Sequence, residues 1–339
     1  MKIVKRLILW VMISLILQFA GLFYIDKYFL ASNGSKIKAT KVTNTTQKNN
    51  DANVNIPENV EDIDVSFNGK YISYFKDTKL NIINTKNGDK KSISFDSKKD
   101  KLEYIWLCDR NRIIYTENKD GEVLLNSYDV DKDQKDKICS FNFEDSSAKI
   151  EDIKAAPLMN LIYVKVNVGG NSNRIYSVNI MKEKDQVEVM TDSVGDIHII
   201  PHEDILIYED KISKKVFSTK NEAPINIPGV KSPKVLSIDD NDNVYIGELN
   251  GDKIVKVYYG SIKNNVSTWK SVAIPNGAKL EDIYVSPLGI VYVNDDLKGV
   301  IKDLSSGKET KYSGIMLKMY IDGVASSSDG KLVKTQFVK

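Results

Sequence analysis

Residues 65–91 read VSFNGKYISYFKDTKLNIINTKNGDKK. Three short apolar runs are divided here by two polar turns, and a fourth, SISF, follows at 92–95. Within YISYF and KLNII, residues of one kind recur at every second position, the period of a strand rather than of a helix. Asn68-Gly69 and Asn87-Gly88 fall between runs. Such pairs tolerate the positive φ that tight hairpins require. The stretch therefore predicts four short antiparallel strands.

The same order recurs along the chain. A first strand, often led by an acid, appears at 61–67 (EDIDVSF), 102–108 (LEYIWLC), 150–156 (IEDIKAA), 195–200 (GDIHII), 234–239 (KVLSID) and 280–286 (LEDIYVS). After a turn comes a second strand that carries a tyrosine, aligned at Tyr74, Tyr115, Tyr163, Tyr208, Tyr245 and Tyr292. Their separations run from 37 to 48 residues. A third and fourth strand follow, as in GVIKDLSSGKETKYS (299–313). Four short strands at this period are the signature of propeller blades. One such unit cannot bury its apolar faces alone. Neighbours stacked face to face can, and radial closure leaves only short edges.

Residues 65–91, and VSPLGIVYVNDD at 285–296, resemble the WD-repeat-like propeller units of TolB and of the N-terminal domain of dipeptidyl peptidase IV. The resemblance spans about residues 60–314 and implies a fold, not a function. The turns DRNR (109–112), PLMN (157–160), PHED (201–204) and DNDN (240–243) depart from the usual Ser-Pro-Asp-Gly. Six units end near 314, and residues 315–339 supply two or three further strands. The fold class is thus an all-β propeller. Seven blades are preferred, with residues 53–57 as the outer strand of the last; six remain possible if the tail only caps. An unpaired hairpin is marginal and open edges are costly, which favours seven.

Residues 7–25, LILWVMISLILQFAGLFYI, contain only two distinctly polar side chains, Ser14 and Gln18. Nineteen residues of helix extend about 28 Å, close to the hydrocarbon thickness of a bilayer. Lys2, Lys5 and Arg6 precede the run, so residues 1–6 are expected in the cytoplasm and 7–25 as a transmembrane signal-anchor helix. A cleaved signal peptide fits less well: cleavage after Ala31 would put bulky Phe29 at the −3 position. Residues 26–52 are polar and read as a flexible extracytoplasmic linker to a propeller over 53–339. The expected localisation is a single-pass cell-membrane protein with its C-terminal domain outside.

Charge is uneven. The chain has 48 Lys/Arg and 46 Asp/Glu, but residues 51–339 hold 40 and 45 of them. Only four of the 48 cations are arginine. A mildly acidic, arginine-poor domain argues against nucleic acid as a partner. No Gly-x-Ser-x-Gly elbow occurs, which excludes the hydrolase class that pairs such propellers with an α/β domain.

Other chemistry is sparse. His198 and His202 are the two histidines, and a strand–turn–strand placement separates them, so no metal or general-base site is assigned to them. The runs Asp129–Asp133 and Asp239–Asn243 put oxygens at alternate positions, but Gln134 and Val244 stand where a calcium loop needs glycine. Both runs read as turns. SSSDGKLV (326–333) lacks the spacing of a sialidase-type Asp box. Cys108 and Cys139 fall on the first and fourth strands of one blade, roughly 14 Å apart, beyond disulfide reach. Two buried free thiols are expected. The aligned tyrosines are expected between blades rather than on a ligand surface.

No catalytic, cofactor-binding or metal residue is therefore assigned, no cofactor is expected, and ligand-binding residues stay open. The expected function is a membrane-anchored extracytoplasmic binding or scaffold propeller, accessory to an envelope protein complex or polysaccharide process, and not an enzyme. Its partners are the membrane, through 7–25, and an envelope protein or polysaccharide. The alternatives are a lyase or glycosidase using central-channel acids, and the ectodomain of a sensor complex; the inner-strand acids Asp62, Asp152 and Asp282 recur with the repeat, which points to a structural turn role rather than a unique site.

Overall fold

Turn chemistry decides where each strand ends. Gly69 takes φ 68°, its N–H donates to Ser66 O at 2.8 Å, and Asn68 Oδ1 accepts from Lys70 N at 3.1 Å. This reverses strand Glu61–Val65 into Tyr71–Lys76. The computed structural model describes residues 2–25, 54–57, 60–95, 103–119, 122–143 and 148–338. Residues 26–52, read above as the linker, lie outside them.

The chain divides into two units, Met1–Lys48 and Asn49–Lys339. In the second, antiparallel strands form seven sheets, each meandering in chain order, over 61–94, 104–141, 149–187, 194–218, 233–278, 283–311 and 315–336. They are blades 1 to 7 of a β-propeller. Among the described residues of this unit the helical elements are two 3₁₀ turns, Val266–Thr268 and Leu280–Asp282.

The core lies between blades rather than within any of them. Seven buried clusters occupy the seven junctions. Ile72, Tyr74 and Ile83 of blade 1 pack with Tyr320 and Ala325 of blade 7, for example, and Leu125 of blade 2 with Ile153 and Val164 of blade 3. Second strands are sandwiched on both faces: Tyr71, Ile72, Ser73 and Tyr74 are all buried. Fourth strands face outward, as in Lys184–Val187, where only Val187 is not exposed. The six aligned tyrosines are each at most 7% exposed, which places them between blades. Burying one such side chain stabilises the ring by about 2–3 kcal/mol.

Ring closure joins the two ends of the domain. Asn55 bridges Lys331, Leu332 N donates to Val54 O at 2.8 Å, and Ile56 N donates to Gly330 O at 2.8 Å. Residues 54–56 thus supply the outer strand of blade 7, whose other three strands are the C-terminal ones. Seven blades is the outcome, and six is excluded. Lys334 Nζ adds a tie from blade 7 to Thr85 Oγ1 of blade 1, at 2.9 Å.

Two expectations need correction, and a third is not supported. Blade 4 has three strands instead of four. Pro224 and Pro228 stand where its outer strand would run, and neither can donate to a ladder; a single bond, Ile225 N to Val216 O at 2.8 Å, covers the edge. Cys108 is exposed rather than buried, because it lies past the end of inner strand Tyr104–Trp106, at the open axis. Cys139 is buried and both thiols are free.

The third concerns the first unit. Lys2–Ile25 is one helix, with Leu9, Trp10, Ile16, Leu17, Phe19, Leu22 and Phe23 more than half exposed. Among the described residues, however, no helix is long and apolar enough to cross a membrane. The side chains of Leu7, Ile8, Val11, Tyr24 and Ile25, which complete the apolar run, lie outside the described ones. The spanning reading of 7–25 is therefore not supported by the structure.

Candidate functional site: the axial chamber

Inner strands from blades 1 to 6 surround a chamber of about 700 Å³ on the propeller axis. The position follows from the meander. Each first strand runs beside the axis, and its turn into the second strand lies at one end of the ring. That end is formed by Cys108-Asp109, Pro157-Leu158, Pro201-His202, Asp240 and Pro287.

Trp106 and Tyr284 are the aromatic walls. Trp106 Nε1 donates to Ser73 Oγ at 2.8 Å, and its ring stacks on Tyr71 at a centroid separation of 6.0 Å. These contacts fix the indole and leave one edge to the chamber. Lys154 is the single lysine on the wall, against Asp64, Asp109 and Asp240. Each of the first two acids has its own partner. Asp64 Oδ1 accepts from Val65 N at 2.8 Å and lies 3.5 Å from Lys318 Nζ. Asp109 chelates Arg110, with Nε at 2.9–3.0 Å from both oxygens. Partial desolvation, together with Asp239, raises the Asp240 carboxyl above the usual range.

Both histidines border this chamber, in different roles. His202 Nδ1 lies 2.9 Å from Asp242 Oδ1, whose oxygen also accepts the His202 backbone N–H at 3.2 Å. That contact joins the turns of blades 4 and 5. His198 is half-buried on inner strand Val194–Ile199. Its enclosure, with repulsion from Lys154 and Lys234, pushes its pKa down to about 3. The ring is therefore neutral at ordinary pH. Because the folded value lies below 6.5, the unfolded chain takes up this proton first on acidification. The stability tied to neutral His198 is present above that pH and lost as pH falls towards about 3. Between pH 7 and pH 4 the wild-type melting temperature should fall by more than that of His198→Gln. Equal falls in a pH-scanned melting series would sink this assignment.

The recurring acids are elsewhere. Asp62, Asp152 and Asp282 do not border the chamber. Asp62 sits in the bulge of Glu61–Val65 at φ 48°, Asp152 flanks the bulge opposite Lys165, and Asp282 ends a 3₁₀ turn and accepts from Asn294 Nδ2 at 3.1 Å. Inner-strand bulges also occur in blades 4, 5 and 7. Asp62 and Asp152 thus serve inner-strand bulges, and Asp282 a 3₁₀ turn, rather than the chamber.

The acid runs are consumed by turn and inter-blade contacts. Asp239 is 2% exposed and accepts from Asn241 N, Asn243 N and Asn243 Nδ2, each at 2.9 Å, and from Tyr245 Oη at 3.0 Å. Asp131 of blade 2 takes Lys70 and Tyr71 of blade 1, and Asn111 Nδ2 at 3.0 Å. Among the described residues no three His, Cys, Asp or Glu side chains converge as a metal set. The Cys108 thiol is raised by desolvation and by Asp109 and Asp240, which disfavours a nucleophilic thiolate.

Sequence reading missed the chamber walls and one buried charge network. Lys165 is 6% exposed; its Nζ donates to Gly195 O at 2.9 Å, and burial lowers its pKa. Lys234 Nζ is held by Asp196 Oδ2 at 2.5 Å and Glu209 Oε2 at 2.8 Å. The available signal was a lysine inside each of two otherwise apolar strands, LIYVKV and PKVLSI. The network ties blades 3, 4 and 5 together.

These observations define a WD-repeat-like, seven-bladed β-propeller. Comparison with solved structures agrees on the fold. A chain of a mitotic checkpoint complex crystal structure aligns over 90% of this chain and 99% of its own, at 13% identity and a TM-score of 0.53. Kluyvelomyces marxianus Hsv2 aligns over 81% and 90%, at 11% identity and a TM-score of 0.51. TolB from Acinetobacter baumannii aligns over 75% and 64%, at 13% identity and a TM-score of 0.47. No family model matches the chain, and no curated protein matches it.

Proposed function

We propose that this propeller is a rigid binding platform that acts by holding a partner at the turn-lined end of its axis, without turnover of its own. The observation that carries the reading is how the polar groups around the chamber are committed. On its wall Asp64, Asp109 and His202 are bound to neighbours within the ring, and His198 is neutral. Catalysis needs a positioned acid, base, nucleophile or metal, each worth orders of magnitude in rate. Binding needs a rigid frame with a few anchors, such as Trp106 and Tyr284 here.

The finer reading places the platform outside a cell membrane, in service of an envelope protein complex or polysaccharide. It rests on residues 2–25 alone: Lys2, Lys5 and Arg6, then an apolar run of 19 residues. Full-length protein in non-ionic detergent should retain an envelope partner in pull-down and release no product from peptide, ester or glycan libraries. The chain should stay with membranes after alkaline carbonate, and protease added to intact protoplasts should shed a nearly domain-sized fragment. Turnover abolished by Asp240→Asn would overturn the platform reading. Release by carbonate would overturn the anchor and leave the platform standing.

A further inference from the structure

We infer that the groove between blades 2 and 3 docks an extended acidic peptide carrying large aliphatic side chains. This rests on the platform reading and names the chemistry of the partner. Because each blade meanders, its first–second and third–fourth turns lie at one end of the ring, the end where the chamber opens. There blade 3 exposes Leu158 (64%) and Met159 in one turn, and Ile180 (69%) and Met181 (73%) in the other. Large aliphatic side chains grouped on two adjacent turns are the mark of a contact surface.

Beside them, blades 2 and 3 enclose a cavity of about 360 Å³. Ile114, Ile138, Leu161 and Ile162 line it as apolar floor. Its charged lining is Arg110, Arg112, Lys137 and Lys182 against a single acid, Asp136. The domain as a whole carries more acids than bases, 45 to 40 over residues 51–339, and two of the four arginines of the chain stand here. Asp109 and Asp129 pair with the two arginines, so the cation excess of the groove rests on Lys137 and Lys182 against Asp136, counter to the charge of its own domain. Fixed geometry accompanies the charge. Arg112 Nη2 is held 3.1 Å from Asp129, and Lys182 Nζ donates to Lys137 O at 2.7 Å, so the walls of the two blades are latched. Arg112 Nε is one of three buried side-chain polar atoms without a partner among the described residues.

An apolar floor with cationic walls selects a ligand whose aliphatic side chains point down while carboxylates flank them. A main chain in extended form supplies that alternation. Opposite charge speeds its encounter and fixes its register. Ala155, Ala156 and Pro157 border both the groove and the axial chamber, so a peptide laid in the groove is led towards the axis.

The test is fluorescence anisotropy with full-length protein in non-ionic detergent. The probe is a labelled octapeptide with two leucines set among glutamates; the comparison peptides replace its glutamates with lysines or its leucines with glycines. The Leu/Glu peptide should bind, and both comparison peptides should bind at least about tenfold more weakly. Ile180→Asp and Lys137→Glu change exposed side chains and leave the Lys182 latch in place, so melting temperature should stay within about 2 °C while affinity falls about tenfold or more. Equal affinity for the lysine peptide, or affinity indifferent to both variants, overturns the assignment. If the envelope partner is still captured by these variants, the groove is wrong and the platform stands.

Discussion

Removing residues 54–57 from the full chain is expected to abolish the cooperative unfolding transition of the propeller, although the segment has no regular strand of its own length. Its backbone closes blade 7 through Val54 O and Ile56 N, and Val54 is 4% exposed in the junction with Tyr74 and Tyr320. Without it, strand Lys331–Gln336 becomes an open edge, and the seventh junction loses part of its core. A point change tests the same idea more gently. Val54→Asp buries a carboxylate among aliphatic groups and should cost about 3 kcal/mol, lowering the melting temperature by about 5–10 °C. Deleting 33–48 should leave the transition where it is. If calorimetry finds the 33–48 and 54–57 deletions equally stable, the ring closes in some other way.

Replacing Gly289 with alanine should rank among the most damaging single changes in the domain. Gly289 has φ 80°, and a Cβ there would lie 2.5 Å from Tyr245 Oη and 2.8 Å from Asp239 Oδ2. Those two groups bond each other, and Tyr245 Oη also donates to Gly289 O at 3.1 Å. Together they lock blade 5 to blade 6. The backbone conformation alone costs about 1 kcal/mol for alanine, and displacing the buried tyrosine raises the total to about 2–4 kcal/mol. Asp239→Ala strands three backbone or amide donors and leaves the tyrosine hydroxyl with Gly289 O alone, with a similar cost of about 2–4 kcal/mol. The double variant should lose less than the sum, because each change breaks the same lock. Strict additivity in denaturant unfolding would show that the two groups act separately.

Repetition made the ring readable from sequence. Tyr74, Tyr115, Tyr163, Tyr208, Tyr245 and Tyr292 mark the strand that every blade buries on both sides, and Asn68-Gly69 marks the turn before the first of them. Even closure by 53–57 follows from the rule that sheet edges seek partners. Blade 4 departs from the four-strand repeat because Pro224 and Pro228 withhold the donors that a ladder needs. The chamber was the least legible part. Trp106, Lys154, His198 and Tyr284 come from four different blades, and nothing local in any one of them states that they share a wall. The recurrent acids were legible as structural: Asp62 and Asp152 stand at bulges, and Asp282 ends a 3₁₀ turn. The Asp129–Asp133 and Asp239–Asn243 turns were correctly placed, but their work across blade boundaries, Asp131 with Lys70 61 residues away and Asp242 with His202, was not legible.

The clasp in blade 7 also sets an order of events. Val54–Ile56 is the first part of the ring to leave the ribosome, and its partner strand, Lys331–Gln336, is nearly the last. Until blade 7 has been made the earliest segment has nothing to pair with. Any prematurely terminated chain keeps an unfilled sheet edge that can recruit another chain. Junction by junction, blades 1 to 6 can stack as they appear, since each contacts its predecessor. Closure then waits on the longest chain separation in the molecule, so it is expected as the slowest step in assembly, and as the point at which quality control can tell a complete chain from a truncated one.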